Sequence, residues 1–143
     1  GDLFAESGQG PTVFVRDRAS GEVVPRLETG SPGVVGMAVA PDGSLLATAG
    51  YDGQVILWDC GTWKPLRRLP AGRRANAVTF SRSGRLLAAA VEKQVLVWDH
   101  TQDEPVDGTD LPIKGVYDLA MSPDGRRLAQ TGADGKVRIW TLR

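Results

Sequence analysis

The sequence predicts an all-β fold assembled from repeated, four-stranded antiparallel units. Three observations predict it: one segment recurs four times, its apolar residues alternate with polar ones over short runs, and turns rich in Gly, Asp and Pro separate the runs. A period of two between turn residues is typical of half-buried strands. Since no stretch shows a convincing helical period, we expect no helix.

The repeat is clearest in two copies that align without a gap. Residues 43–59 are GSLLATAGYDGQVILWD, and residues 125–141 are GRRLAQTGADGKVRIWT. Residues 1–17 align at the same length, and residues 84–99 align after one deletion. One marker position recurs at intervals of 42, 40 and 42 residues, at Arg16, Trp58, Trp98 and Trp140. A period of roughly 40 to 45 residues is that of a four-stranded propeller blade.

Each full repeat supplies four strands, labelled a to d from the centre of the predicted propeller outward. Strand a carries paired apolar residues, as at Met37 and Val39, and ends at a turn such as Pro41-Asp42-Gly43. Strand b follows, for example at 45–49, and a tight Asp52-Gly53 turn leads into a Val-rich strand c. Strand d is weaker, as at 65–69. Asp-Gly supplies the positive φ angles of a hairpin turn, which explains this order.

These features resemble the WD40 repeats of β-propellers. The resemblance covers nearly the whole chain and is strongest at Trp58-Asp59 and Trp98-Asp99, which end strand c. It implies nine structural marker residues, which are Asp42, Asp52, Trp58, Asp59, Trp98, Asp99, Asp124, Asp134 and Trp140. WD40 repeats often also carry a Gly-His pair whose His joins a network with a Ser or Thr, the Trp and the turn Asp. This chain instead has Gly30-Ser31, Gly72-Arg73 and Lys114-Gly115 there, so the network is incomplete in every blade.

The repeats divide the chain into about three and a half blades with fourteen strands. We expect blade 1 (strands b–d) at 1–30, blade 2 at 31–71, blade 3 at 72–113 and blade 4 (strands a–c) at 114–143. A WD40 ring of about seven blades needs about 290 residues at this period. The first hypothesis is therefore a portion of a larger propeller. The alternative is a half-propeller whose open blade edges complete a ring by homodimerisation.

Composition excludes several other classes of protein. The 143 residues include 41% hydrophobic residues, yet no apolar run approaches the roughly 20 residues of a membrane-spanning helix. The single cysteine, Cys60, and the single histidine, His100, occupy equivalent positions of successive repeats. They are therefore expected too far apart for a nucleophile and its base. We expect a cytoplasmic protein that is not an enzyme and has no cofactor or metal site.

The partner-binding surface is predicted from loops and local charge. In WD40 proteins the face built from the d–a and b–c loops commonly receives partner peptides, and Arg with Tyr is a typical interface composition. The predicted contact residues are Tyr51, Trp63, Arg73, Arg74, Lys93, Lys114 and Tyr117. The implied function is a non-catalytic protein–protein interaction scaffold, with a protein or peptide as partner. For Trp63 the sequence leaves two roles equally open: an exposed contact residue for a partner, or packing against the neighbouring blade.

The net charge of zero conceals a local imbalance. Residues 60–91 contain seven basic and no acidic residues, whereas residues 99–110 contain five acidic and no basic ones. The Arg-rich segment 64–85 leaves nucleic-acid binding as a second alternative, which predicts a steep salt dependence of affinity. The acidic segment on the adjoining repeat makes this alternative weaker, and nothing in the sequence points to a membrane.

Overall fold

A computed structural model describes residues 3–7, 10–72, 74–91, 94–102, 106, 111–112 and 115–142. Within these ranges the chain forms fourteen β-strands and no helix. The strands form four separate antiparallel sheets of three or four strands each. The predicted all-β fold of propeller-type blades, not closed into a ring, is therefore confirmed.

The sheets follow one another along the chain, and within each sheet the strands pair in chain order. Sheet 1 contains β1 (Leu3–Ser7), β2 (Thr12–Asp17) and β3 (Val23–Glu28). Sheet 2 contains β4 (Val34–Val39), β5 (Leu45–Gly50), β6 (Gln54–Asp59) and β7 (Pro65–Pro70). Sheet 3 contains β8 (Ala75–Phe80), β9 (Leu86–Val91), β10 (Gln94–Asp99) and β11 (Leu111–Pro112). Sheet 4 contains β12 (Val116–Met121), β13 (Arg127–Gly132) and β14 (Val137–Thr141).

The sheets repeat one register, which makes their positions directly comparable. Leu46 pairs with Trp58 in sheet 2, and the same Leu–Trp pair recurs at Leu87 with Trp98 and at Leu128 with Trp140. The turn after β4 shows how the register is set. Gly43 has a φ of 75° and donates a 2.8 Å hydrogen bond to Ala40, a conformation that glycine adopts without a steric penalty.

Neighbouring sheets pack face to face through three apolar clusters. The cluster between sheets 1 and 2 includes Val13 and Trp58, the next includes Leu57 and Phe80, and the third, between sheets 3 and 4, includes Val97. Successive side chains of a strand point to opposite faces of its sheet. Strands such as β6 are therefore apolar at nearly every position, because both faces of their sheet are covered.

The outward face of sheet 4 departs from this pattern. Val137 and Ile139 are each 68% exposed, whereas Val55 and Leu57, which hold the same repeat positions in sheet 2, are 0% and 1% exposed. Val55 and Leu57 lie under sheet 3, and no described residue covers Val137 and Ile139 in the same way. The apolar pattern of β14 is thus that of a covered strand, although its outer face is open.

Candidate partner-binding surface

The strand directions separate the loops into two ends. The first, which we call the Tyr51 end, holds the turn between β5 and β6 and the segments that enter β4, β8 and β12. The second, the Trp63 end, holds the turns that follow these inner strands and the loop after β6. The inner strands lie level with one another, since a Cβ built on Gly36 would be 3.1 Å from Cα of its repeat equivalent Ala77.

This topology places the predicted contact residues unequally. Tyr51, Arg74 and Tyr117 all lie at the Tyr51 end, although they come from three different sheets. Trp63 lies at the opposite end, in the loop after β6. Three further predicted residues, Arg73, Lys93 and Lys114, lie outside the described residues. The structure therefore brings together one part of the predicted set and separates Trp63 from it.

Arg74 lies over the ring of Tyr51. Its Cζ atom is 4.2 Å from the ring centroid, and its Nη2 donates a long hydrogen bond of 3.4 Å to Tyr51 Oη. Both side chains are exposed, with Tyr51 at 45%. A guanidinium over an aromatic face is attracted by the negative charge of the ring, by about 0.5–1 kcal/mol at exposed sites. The stack therefore joins sheet 2 to the entry of sheet 3 and holds the arginine in a defined orientation.

The position of the Tyr51 ring depends on a glycine. A Cβ atom built on Gly33 would lie 2.7 Å from Cδ2 and Cε2 of Tyr51, closer than any side chain permits. The backbone of Tyr51 also donates a 3.1 Å hydrogen bond to the Gly33 carbonyl. Sequence patterns gave no indication of this role, because the requirement arises from a contact between residues 18 positions apart.

A β-bulge at the start of each inner strand adds residues to the Tyr51 end. The register shifts between Val34 and Gly36 in β4, and equivalent shifts occur in β8 and β12. A bulge leaves one residue unpaired and can redirect its side chain. The unpaired residues are Val35, Asn76 and Tyr117, of which Tyr117 is 69% exposed. Val35 and Asn76 were missed by sequence reasoning, although alignment with Tyr117 would have found them.

Trp63 is mainly a packing residue. Its side chain is half-buried and contacts the apolar cluster between sheets 1 and 2. Its φ of 58° is unusual for a bulky residue, and its backbone donates a 2.7 Å hydrogen bond to the Asp59 carbonyl. The packing contact is therefore present, and a role of Trp63 in partner binding stays a prediction.

The aspartates that end the strand c positions organise the loops that follow. Asp59 Oδ1 accepts hydrogen bonds from the backbones of Gly61 and Thr62, both at 2.7 Å. Asp17 makes the same pair of contacts with Ala19 and Ser20 at 2.9 Å. Bonds to the ionised carboxylate stabilise it, so the pKa of each aspartate is below its ordinary value. The aspartate at the end of strand c therefore stabilises the loop that follows it at the Trp63 end.

The turn aspartates act in a similar way. Asp42 Oδ1 accepts from the hydroxyl and the backbone of Ser44 at 2.6 and 2.9 Å, and Asp124 Oδ1 accepts from the Ser122 hydroxyl at 2.5 Å and the Arg126 backbone at 3.0 Å. These bonds lower the pKa of both carboxyl groups. Asp52 and Asp134 each accept the backbone N–H two residues on, from Gln54 and Lys136, at 3.1 Å. All four carboxylates hold turns in place.

The network around the repeat tryptophans is only partly formed. Trp58 Nε1 donates to Thr48 Oγ1 at 3.1 Å, and Trp140 Nε1 donates to Gln130 Oε1 at 3.2 Å. Trp98 Nε1 is buried and has no hydrogen-bond partner among the described residues, because Ala89 stands at the equivalent position. In sheet 2, Ser31 stands where a His is common and accepts a long 3.4 Å bond from the Asp52 backbone.

Asp99, which ends strand c of sheet 3, is buried, unlike Asp17 and Asp59 at the equivalent positions. Its side chain is 7% exposed and accepts a 2.6 Å bond from the Thr101 hydroxyl and a 2.6 Å bond from Arg85 Nε. The Thr101 hydroxyl contributes most, and with Arg85 it lowers the pKa of Asp99 from 3.8 to about 2.

This pKa predicts an acid-dependent loss of stability. A carboxyl group whose folded pKa is lowered stabilises the fold above its unfolded pKa, and the contribution is lost as the pH falls through the folded value. We expect Asp99 to contribute about 2 kcal/mol above pH 4 and progressively less down to about pH 2. Urea unfolding between pH 2 and 6 measures it. Asp99→Asn should remove this part of the slope, and an unchanged slope would contradict the assignment.

The arginines of segment 64–85 do not share one surface. Arg67 Nη1 donates to the His100 carbonyl at 3.0 Å, and Arg68 Nη1 donates to the Thr29 carbonyl at 3.3 Å. The two side chains thus leave β7 on opposite faces and bridge to sheets 3 and 1. Arg74 lies on Tyr51 at one end, and Arg85 pairs with Asp99 at the other. Structural contacts therefore account for much of this basic segment.

The single thiol and the single imidazole of the chain follow strands of different sheets. Burial, followed by the charges of Asp59 and Asp42, raises the pKa of the Cys60 thiol, which disfavours the reactive thiolate. Cys60 follows β6 of sheet 2, whereas His100 follows β10 of sheet 3. No group of three His, Cys, Asp or Glu residues in the described part of the chain is arranged to hold a metal ion. None of the described segments forms a helix that could span a membrane.

Comparison with known proteins identifies similar repeats. The family model described as "WD domain, G-beta repeat" matches residues 21–59, 63–99 and 112–141. The chain is 34% identical to the small ribosomal subunit protein RACK1 of Medicago sativa over 74% of its length and 38% of that protein. It is 33% identical to RACK1 of Caenorhabditis elegans over 82% of its length and 40% of that protein. It is 36% identical to the cross-pathway control WD-repeat protein 2 of Flammulina velutipes over 74% of its length and 36% of that protein. The chain thus spans about two fifths of the length of these relatives.

Proposed function

The chain belongs to the WD40 family, and we propose that it is a cytoplasmic, non-catalytic scaffold for protein–protein interaction within a larger propeller or multidomain protein. Two of the similar proteins are named as small ribosomal subunit proteins, which supports a protein partner. We also propose that each sheet is one blade, with the boundaries 1–30, 31–71, 72–113 and 114–143.

The observation that carries this proposal is the exposed Arg74–Tyr51 stack at the Tyr51 end. Aromatic residues and arginine are enriched among the residues that dominate binding energy at protein interfaces. Here they are held by contacts across two sheets, so little conformational entropy is lost when a partner binds. Tyr117 extends this surface, and we propose that Arg73, Lys93 and Lys114 do so as well.

A peptide selection tests the proposal. Random 12-residue peptides displayed on phage are selected on the immobilised chain and on a Tyr51→Ala, Arg74→Ala variant. The wild-type chain should enrich a pool of peptides whose binding falls at least about tenfold in the variant. A Leu66→Ala, Arg82→Ala variant, which removes an exposed apolar residue and an exposed arginine elsewhere, is the matched control. Equal binding by all three proteins would contradict the proposed surface.

Self-assembly is a second candidate that one observation favours. Val137 and Ile139 are largely exposed at positions where the equivalent residues of sheets 2 and 3 are buried. A second copy could cover them and complete a ring. Light scattering of the purified chain tests this, since a stable dimer supports self-completion and a monomer contradicts it. Nucleic-acid binding receives less support, because Arg67, Arg68 and Arg85 are engaged in contacts that point in different directions.

A further inference from the structure

Arg74 differs from the ion-paired arginines in its surroundings. Arg16, Arg85 and Arg138 each pair with a carboxylate of this chain, namely Glu6, Asp99 and Asp134. Arg74 is exposed and forms no ion pair with any residue in the described part of the chain. A cation with no counter-ion among the described residues is available to a charged partner.

The stack determines which kind of anion fits. The contact of Arg74 Cζ with the Tyr51 ring and the hydrogen bond from Nη2 to Tyr51 Oη both restrain the guanidinium. A restrained guanidinium presents its N–H groups as a planar fork, which matches the two oxygens of a carboxylate. Gly33 leaves room for the Tyr51 ring, and its carbonyl accepts a hydrogen bond from the Tyr51 backbone. The ring, and with it the Arg74 guanidinium, is therefore positioned before a partner arrives.

The described residues at this end of the sheets include both acidic and apolar side chains. Asp52 and Asp118 are exposed on a turn and a strand of the same end, and they would repel a polyanion such as a nucleic acid more than a ligand with one carboxylate. The bulge residues Val35 and Tyr117 present exposed apolar surface there. One carboxylate can bind at Arg74 while its neighbours contact apolar side chains.

We propose that the Arg74–Tyr51 stack is a carboxylate-binding site for an acidic peptide, in which an Asp or Glu side chain pairs with Arg74 and adjacent apolar residues contact the bulge residues of the inner strands. The proposal rests on the proposed scaffold function and specifies the partner chemistry of that surface.

The phage-displayed peptide library is the probe. After selection on the wild-type chain, we expect Asp and Glu to be enriched several-fold over the input at one position next to an apolar residue. Selection on Arg74→Gln should abolish the acidic preference. Arg82→Gln, which removes an exposed arginine from the turn after β8 at the Trp63 end, is the matched control and should retain it. Thermal unfolding of the three proteins shows that each is folded.

Binding measurements with one selected peptide and its Glu→Gln form then isolate the pair. Arg74→Gln should weaken binding of the acidic peptide about tenfold and leave binding of the neutral peptide nearly unchanged, since a charge-assisted hydrogen bond is lost only with the acidic form. Arg74→Lys should restore only part of the affinity, because lysine lacks the planar fork. Tyr51→Leu should weaken binding of the acidic peptide more than binding of the neutral peptide.

The outcomes separate the two proposals. Peptides that require Tyr51 but show no acidic preference would overturn the carboxylate site and leave the scaffold function intact. An acidic preference that survives Arg74→Gln would also overturn it. If no peptide is enriched on the wild-type chain, both proposals fail. Enrichment of acidic peptides that depends on Arg74 and not on Arg82 supports the site.

Discussion

Replacing Leu57 by Ala is expected to lower the free energy of unfolding by about 2–5 kcal/mol, whereas Ile139→Ala should change it by less than about 0.5 kcal/mol. The two residues hold the same position in the repeat and have similar side chains. Leu57 is buried between sheets 2 and 3, and its truncation leaves a cavity. Ile139 is 68% exposed, so its truncation removes little contact.

Urea unfolding of the two variants at one protein concentration measures this difference. The substitutions are matched by repeat position, since each residue lies in the third strand of its sheet opposite an alanine. A loss of more than about 2 kcal/mol for Ile139→Ala would show that the outer face of sheet 4 is covered in solution. Light scattering of the same sample would then show whether a second copy provides the cover.

Replacing Thr48 by Val should lower the free energy of unfolding by about 1–3 kcal/mol. The substitution conserves shape but removes the hydroxyl that accepts the hydrogen bond from Trp58 Nε1 at 3.1 Å. Trp58 is only 3% exposed, so water cannot readily replace the lost partner. Thermal and urea unfolding both measure the effect, and Thr48→Ser is the control that keeps the hydroxyl. Equal stability of Thr48→Val and the wild type would contradict the role of this bond.

Sheet 3 offers the converse experiment. Trp98 Nε1 has no partner among the described residues, and Ala89 occupies the position of Thr48. Ala89→Ser supplies a hydroxyl and should raise the free energy of unfolding by about 1 kcal/mol, provided that the fully buried site accommodates one more atom. In a chain that also carries Trp98→Phe, and therefore lacks the indole N–H, Ala89→Ser should give no such gain over Trp98→Phe alone. If Ala89→Ser raises the free energy of unfolding equally with and without Trp98→Phe, the hydrogen bond is not the cause.

The repeats made much of the fold predictable. A strand interior is recognised from its alternation and a turn from Pro-Asp-Gly or Asp-Gly, and both signals are local. The turn at Gly43 and the pairing of Leu46 with Trp58 follow from these signals. Loop position and residue type also selected Tyr51, Arg74 and Tyr117, which the structure places at one end of the sheets, while their role as partner contacts stays a prediction.

Other parts of the site depend on contacts between distant residues. The need for glycine at position 33 arises from the ring of Tyr51, and the partner of Arg68 is a carbonyl of the preceding sheet. Trp63 resembles an exposed contact residue in sequence, yet its ring packs on the cluster between sheets 1 and 2. No local pattern records which surface a side chain meets after the sheets stack.

The sequence by itself determined the all-β class, the repeat period and the strand order, because these follow from short-range alternation and turn chemistry. The tertiary structure decided burial and pairing. Val55 and Val137 stand in the same sequence pattern, but one lies beneath a neighbouring sheet and the other is 68% exposed. Arg74 and Arg85 are both exposed arginines near strand ends, but of the two only Arg85 pairs with a carboxylate among the residues that the structure describes. Exposure and charge pairing depend on which sheets come together, and that is a property of the assembled fold.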